Sequence, residues 1–200
     1  MSITRLRIIS AFVITLVAAT AGSLHAQGFS LSISNGDETK AAADPTVGSA
    51  APDFTLPWAD KSQIGAADQP FKLSAAAGKP VVLAFFPKDF TSGCTAEMKT
   101  FTEQYSELFG SEAIVVGISI DSLATHHAFA DSLGLPFKLL SDPSQQVSKL
   151  YASAGTSGYN KRTVYVIDRK GKIAYRNMEF GAIDPQAYAD LKTAVAAAGK

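Results

Sequence analysis

Only one residue of this 200-residue chain carries a thiol, and that residue, Cys94, is the natural place to look for chemistry. A lone cysteine cannot form a disulfide within its own chain or build a multi-cysteine zinc or iron-sulfur site, so its options are nucleophilic attack and oxidation of the sulfur. Cys94 follows Pro87-Lys88-Asp89-Phe90-Thr91-Ser92-Gly93 and opens a helical pattern. In the first turn of a helix, unpaired backbone N–H groups and the positive end of the macrodipole favour thiolate over thiol. The competing interpretation is a buried, inert cysteine, which burial statistics alone favour.

The elements that must position Cys94 are legible as an alternation of strands and helices. Val81–Phe86 and Ala113–Ser119 are continuous apolar runs, as expected of strands buried on both faces of a sheet. Between them Met98, Phe101, Tyr105 and Leu108 recur at spacings of 3, 4 and 3, one apolar face of a helix starting at about Cys94. This predicts a parallel βαβ unit with Cys94 just beyond the carboxyl end of a central strand, where open α/β sheets bind ligands. A second helix is expected over Ser122–Leu133, ending at Gly134, then a strand over Phe137–Leu140, a Ser141-Asp142-Pro143 turn and a short helix over Gln145–Tyr151. Thr163–Asp168 and Ile173–Arg176 flank Arg169-Lys170-Gly171-Lys172 as a hairpin, and Pro185–Ala198 closes the chain as a helix. The fold class is therefore α/β, a thioredoxin-like arrangement with a central mixed β-sheet flanked by helices.

Pro87, Thr91 and Cys94 form P-x3-T-x2-C, which resembles the active-site motif of the peroxiredoxins, thiol peroxidases on a thioredoxin fold. Within them, Pro87, Lys88, Asp89, Thr91, Gly93, Cys94, Thr95 and Glu97 match the pattern of the bacterioferritin-comigratory, or Q-type, subgroup. Ala51–Leu56 resembles the family's opening strand, Leu139–Pro143 its later turn, and Lys161–Asp168 the strand bearing its active-site arginine. The resemblance implies that Cys94 is the peroxidatic nucleophile, oxidised by hydrogen peroxide or an organic hydroperoxide to sulfenic acid. It implies that Thr91, Arg162 and backbone N–H groups stabilise the leaving oxygen and that Arg162 stabilises the thiolate. Pro87 would cover the thiolate and Glu97 would orient Arg162. Read singly, Thr91 is equally a turn or capping residue, Pro87 a strand terminator, Glu97 a first-turn dipole partner, and Arg162 the partner of any carboxylate.

Many members of that subgroup carry a resolving cysteine five positions after the first, where this chain has Lys99. A one-cysteine enzyme is then expected, regenerated by an external thiol or a thioredoxin-like partner, as a monomer or homodimer. Two rivals remain: a non-catalytic thioredoxin-fold binding module or stoichiometric redox sensor, and a general thiol-disulfide oxidoreductase. The last is disfavoured because Ala96 and Glu97 stand where Cys-x-x-Cys chemistry needs its second sulfur. His126 and His127 point about 100° apart on their helix, so they are expected to be exposed helix residues and not a metal pair. Trp58 fits core or loop packing. No motif for a dinucleotide, nucleotide or metal cofactor occurs, so none is expected.

Composition sets the remaining bounds. With 46% hydrophobic residues the chain can bury a sizeable core, and equal numbers of basic and acidic residues, 18 each, argue against a nucleic-acid partner. Arg5 and Arg7, the apolar run Ile8–Ala21 and the small residues up to Ala26 have the form of a secretory signal peptide. Residues 1–26 are assigned to it, with cleavage after Ala26 or alternatively Ala21. An uncleaved anchor is the lesser alternative because the run falls short of the roughly 18 residues of a spanning helix. Residues 27–47 are expected to be a flexible linker and residues 48–200 the thioredoxin-like peroxiredoxin domain. The mature protein would be periplasmic or secreted, without stable membrane association, an oxidising setting in which a lone thiol calls for a reason.

Overall fold

The computed structural model describes residues 44–200; the expected signal segment and residues 27–43 of the expected linker lie outside them. Among the described residues no helix is long and apolar enough to cross a membrane. The order of elements is β1 (Thr55–Leu56), β2 (Trp58–Ala59), β3 (Phe71–Lys72), a short 3-10 turn (Leu73–Ala76), β4 (Val81–Phe85), α1 (Ser92–Glu103), α2 (Tyr105–Phe109), β5 (Ile114–Ser119), α3 (Leu123–Leu133), β6 (Lys138–Ser141), α4 (Gln146–Leu150), β7 (Thr163–Ile167), β8 (Ile173–Asn177) and α5 (Pro185–Ala198). The six-stranded mixed sheet runs β2-β6-β5-β4-β7-β8, the expected thioredoxin-like arrangement, with a separate antiparallel pair β1-β3.

The parallel unit is as expected, with β4 pairing in parallel with β5 through the crossover of α1 and α2. All five residues of β4 are buried because both faces of the sheet are covered. Val82, Ala84 and Phe86 point into a core with Cys94, Met98, Phe101, Phe129, Tyr188 and Leu191. Val81, Leu83 and Phe85 point into the opposite core with Phe54, Trp58, Val147, Tyr151 and Tyr165.

Several local expectations change. The apolar stripe from Met98 to Leu108 does not ride on one helix: the chain breaks at Gln104, separating α1 from α2. Phe101 still joins the two, its ring 5.2 Å from that of Phe109 and edge-on to it. The opening segment Ala51–Leu56 contributes only the two strand residues of β1. α3 begins after an N-cap Ser122 whose side chain accepts from the Thr125 N–H, and ends on Gly134 in the left-handed region. The expectation that His126 is exposed is overturned. His126 shares its face of α3 with Phe129 and Ala130, is fully buried, and is held by Asp89 and the Leu140 carbonyl. His127 is half-buried and bonded to the Asp60 carbonyl.

Candidate active site

Two strand ends build the site. β4 delivers its chain into the loop 86–91 and then into α1, and β7 pairs antiparallel to β4 with Phe85 opposite Thr163. Because the pairing is antiparallel, the residue entering β7, Arg162, lies beside the loop leaving β4. Cys94 is the third residue of α1 and fully buried, while Thr91 is the N-cap. The Thr95 N–H already bonds the Thr91 carbonyl at 2.8 Å, leaving the N–H groups of the preceding first-turn residues outside the helical ladder.

Arg162 joins the site into one unit. Its Nη2 donates to Cys94 Sγ at 3.4 Å and its Nη1 donates to the Glu97 carboxylate. Cys94 and Glu97 are three residues apart on α1, so they lie on the same face one turn apart. Gly93 leaves the arginine this room: a Cβ there would sit 3.1 Å from Arg162 Nη2, and the guanidinium would have to give by a few tenths of an ångström. The arginine is itself held in place, since the Phe180 N–H donates to its carbonyl at 3.0 Å. Asn160, two residues before it, donates to the Ile118 carbonyl and accepts from Gln145.

Glu97 is fully buried, and burial raises its carboxyl to about 7 against the pull of the neighbouring Arg162. Its Oε1 is buried without a hydrogen-bond partner. Thr91 is exposed, makes no side-chain cap, and donates its hydroxyl to the Lys88 carbonyl at 3.0 Å, closing the turn. Pro87 is half-buried at the start of that turn. Cys94, Glu97 and Arg162 are thus brought into direct contact, and Thr91 and Pro87 belong to the loop that leads to them.

Sequence reasoning gave no role to Asp89 and His126, or to the Gln145 and Asn160 side chains behind Arg162. His126 lies three residues before Phe129 and four before Ala130, a spacing that could have placed it on the buried face. Among the described residues three non-glycine residues adopt left-handed backbone, Phe90, Gln145 and Ala152, with φ of 60°, 54° and 51°. Phe90 lies in the Cys94 loop and the other two in the segments leading to Arg162, as expected where strain is kept at a functional site.

The AhpC/TSA family model matches residues 47–176. A chloroplastic peroxiredoxin Q of Triticum aestivum is 41% identical over 130 residues, 64% of this chain and 57% of that protein. The chloroplastic peroxiredoxin Q of Sedum lineare is 40% identical over 139 residues, 68% of this chain and 71% of that protein. Among solved structures, the peroxidoxin BcpB of Mycobacterium tuberculosis superposes with a TM-score of 0.64 at 31% identity, covering 76% of this chain and 97% of that one.

Proposed function

This chain belongs to the AhpC/TSA family, as a peroxiredoxin of the Q type with a single cysteine, and from that premise we propose that it is a thiol-dependent peroxidase acting through Cys94. The observation that carries the proposal is Arg162 bridging the Cys94 sulfur and the buried Glu97 carboxylate. A structural cysteine has no need of a guanidinium held on its sulfur by a buried acid.

In the proposed reaction the Cys94 thiolate attacks one oxygen of a hydrogen peroxide or organic hydroperoxide. An S–O bond forms as the O–O bond breaks, the electron pair leaves on the far oxygen, and that oxygen takes a proton and departs as water or an alcohol. Sulfur is oxidised to sulfenic acid and the peroxide is reduced. Arg162 and the first-turn N–H groups of α1 are fixed donors for the developing charge, and they need no reorganisation when it appears. Thr91 can join them if its hydroxyl rotates away from Lys88, and Pro87 shields the loop. Glu97 orients the guanidinium. With no second cysteine, an external thiol attacks the sulfenic sulfur, releasing water, and a further thiol or a thioredoxin-like protein frees Cys94 from the mixed disulfide.

Residues 1–26 are proposed to export the chain to the periplasm or beyond, 27–47 to act as a linker and 48–200 to form the catalytic domain, as monomer or homodimer. The plant relatives are described as chloroplastic, so the place of action proposed here rests on this chain's own leader. Peroxide consumption by the mature chain with excess small thiol tests the function. Wild type should turn over and Cys94→Ser should fall to the thiol-only background; activity retained by the variant would overturn the assignment.

A further inference from the structure

The Cys94 loop is fastened to α3 at two points one helical turn apart. Asp89 is fully buried, its Oδ2 2.8 Å from His126 Nδ1, and His126 Nε2 lies 3.2 Å from the Leu140 carbonyl. The next loop residue, Phe90, takes left-handed backbone and lays its ring 4.9 Å from that of Phe129, three residues after His126. The Asp89 N–H is also taken, by Asp121 Oδ2 at 2.9 Å, which accepts the Ser119 hydroxyl as well.

We propose that Asp89 and His126 are positioning residues that clamp the loop 86–91 in the form that lets Arg162 and the α1 N–H groups meet peroxide at Cys94. The inference rests on the peroxidase reading and adds to it residues outside the contact shell of the sulfur. Leu140 can only accept, so Nε2 carries a hydrogen, and the Nδ1–Oδ2 contact then holds one further shared proton. The pair is neutral as a whole, which suits its burial. Its other oxygen, Asp89 Oδ1, is buried without a partner, and burial raises the Asp89 carboxyl despite His126. A pair kept for stability alone would not leave a carboxylate oxygen unsatisfied beside a strained, exposed Phe90. The cost is understandable if the bond fixes the backbone that carries Pro87, Thr91 and Cys94. A reacting geometry displaced by even an ångström loses much of its rate.

The experiment compares two reactions of Cys94 in the full chain: stopped-flow oxidation by hydrogen peroxide, which needs donors aligned on the leaving oxygen, and alkylation by iodoacetamide, which needs the thiolate and access to it but no such donors. Asp89→Ala should slow oxidation about tenfold or more while alkylation rises about tenfold. Asp89→Asn keeps the bond, its amide donating to a neutral His126, and should restore both rates to within about threefold of wild type. If Asp89→Ala does not fold by circular dichroism, Asp89→Val combined with His126→Leu leaves no lone buried charge and takes its place with the same expectation. Unchanged rates in the clamp-free variant, or an Asp89→Asn protein as slow as Asp89→Ala, would overturn the clamp. A wild type inert to peroxide would instead overturn the peroxidase reading, and the alkylation rates would still report on the clamp.

Discussion

A carboxylate with no solvent and one unpartnered oxygen is an expensive neighbour for a guanidinium, and Glu97 shows what the site requires of a single residue. Its carboxyl titrates at about 7 in the folded chain because burial outweighs Arg162, against an ordinary 4.5 when unfolded. The folded state therefore holds a proton that the unfolded chain gives up between those values. The stability this provides is complete below about 4.5 and is lost as pH rises through about 7, on the order of 1 kcal/mol per pH unit across the window. Glu97→Gln, which cannot ionise, should flatten that fall in urea midpoints; an unchanged slope would show that Glu97 does not titrate there. At this scale the sequence was most informative where a residue's role is local. Cys94 at the helix start, with Glu97 one turn on, is readable from spacing alone, whereas Arg162 needed a resemblance because 68 residues separate it from the sulfur it touches. In the sequence Asp89 reads only as part of the motif and His126 as an exposed helix residue, because a histidine on a helix is ambiguous until the face that the sheet covers is known.

The elements act as positioning devices through their register. β5 packs so closely against its neighbours that Gly117 has no room for a side chain: a Cβ would lie 2.7 Å from Leu139 Cδ2 and 3.1 Å from Phe86 Cε1. Phe86 is the first residue of the loop that leads to Cys94, so pressure there reaches the site. Gly117→Ala should cost about 1–3 kcal/mol through overpacking and lower the melting temperature by about 3–10 °C. Thermal unfolding checks this, and a melting temperature equal to wild type would mean that Leu139 yields freely. The long apolar runs and the hairpin turn announced β4, β5, β7 and β8, and the Ser122 cap and Gly134 end announced α3. The break at Gln104 was not visible, because an apolar stripe at helical spacing continues across it. β2 was hidden for a different reason. Two residues paired with a distant strand, Trp58 opposite Leu140, carry no period of their own.

For the whole molecule, one thiol in 200 residues dictates the logic of turnover. The sheet buries that thiol at the junction of β4 and α1, β7 brings the cation, α3 holds the loop, and no sulfur within the chain can take the oxidised state further. The sulfenic acid returns to thiolate only when a thiol arrives from outside, and excess peroxide would otherwise carry it on to sulfinic acid. The most direct test mixes the fully reduced chain from residue 27 onward with one equivalent of hydrogen peroxide, adds a sulfenic-acid trap within seconds and reads the intact mass, with Arg162→Ala run in parallel. A single trapped adduct at Cys94 is expected, complete in wild type within the mixing time and slowed about a hundredfold in the variant, the scale of removing one fixed donor to a leaving oxygen. Equal trapping in the two proteins would remove Arg162 from the reaction, and an absence of trapping in wild type would contradict the central claim that this buried cysteine is a peroxidatic nucleophile.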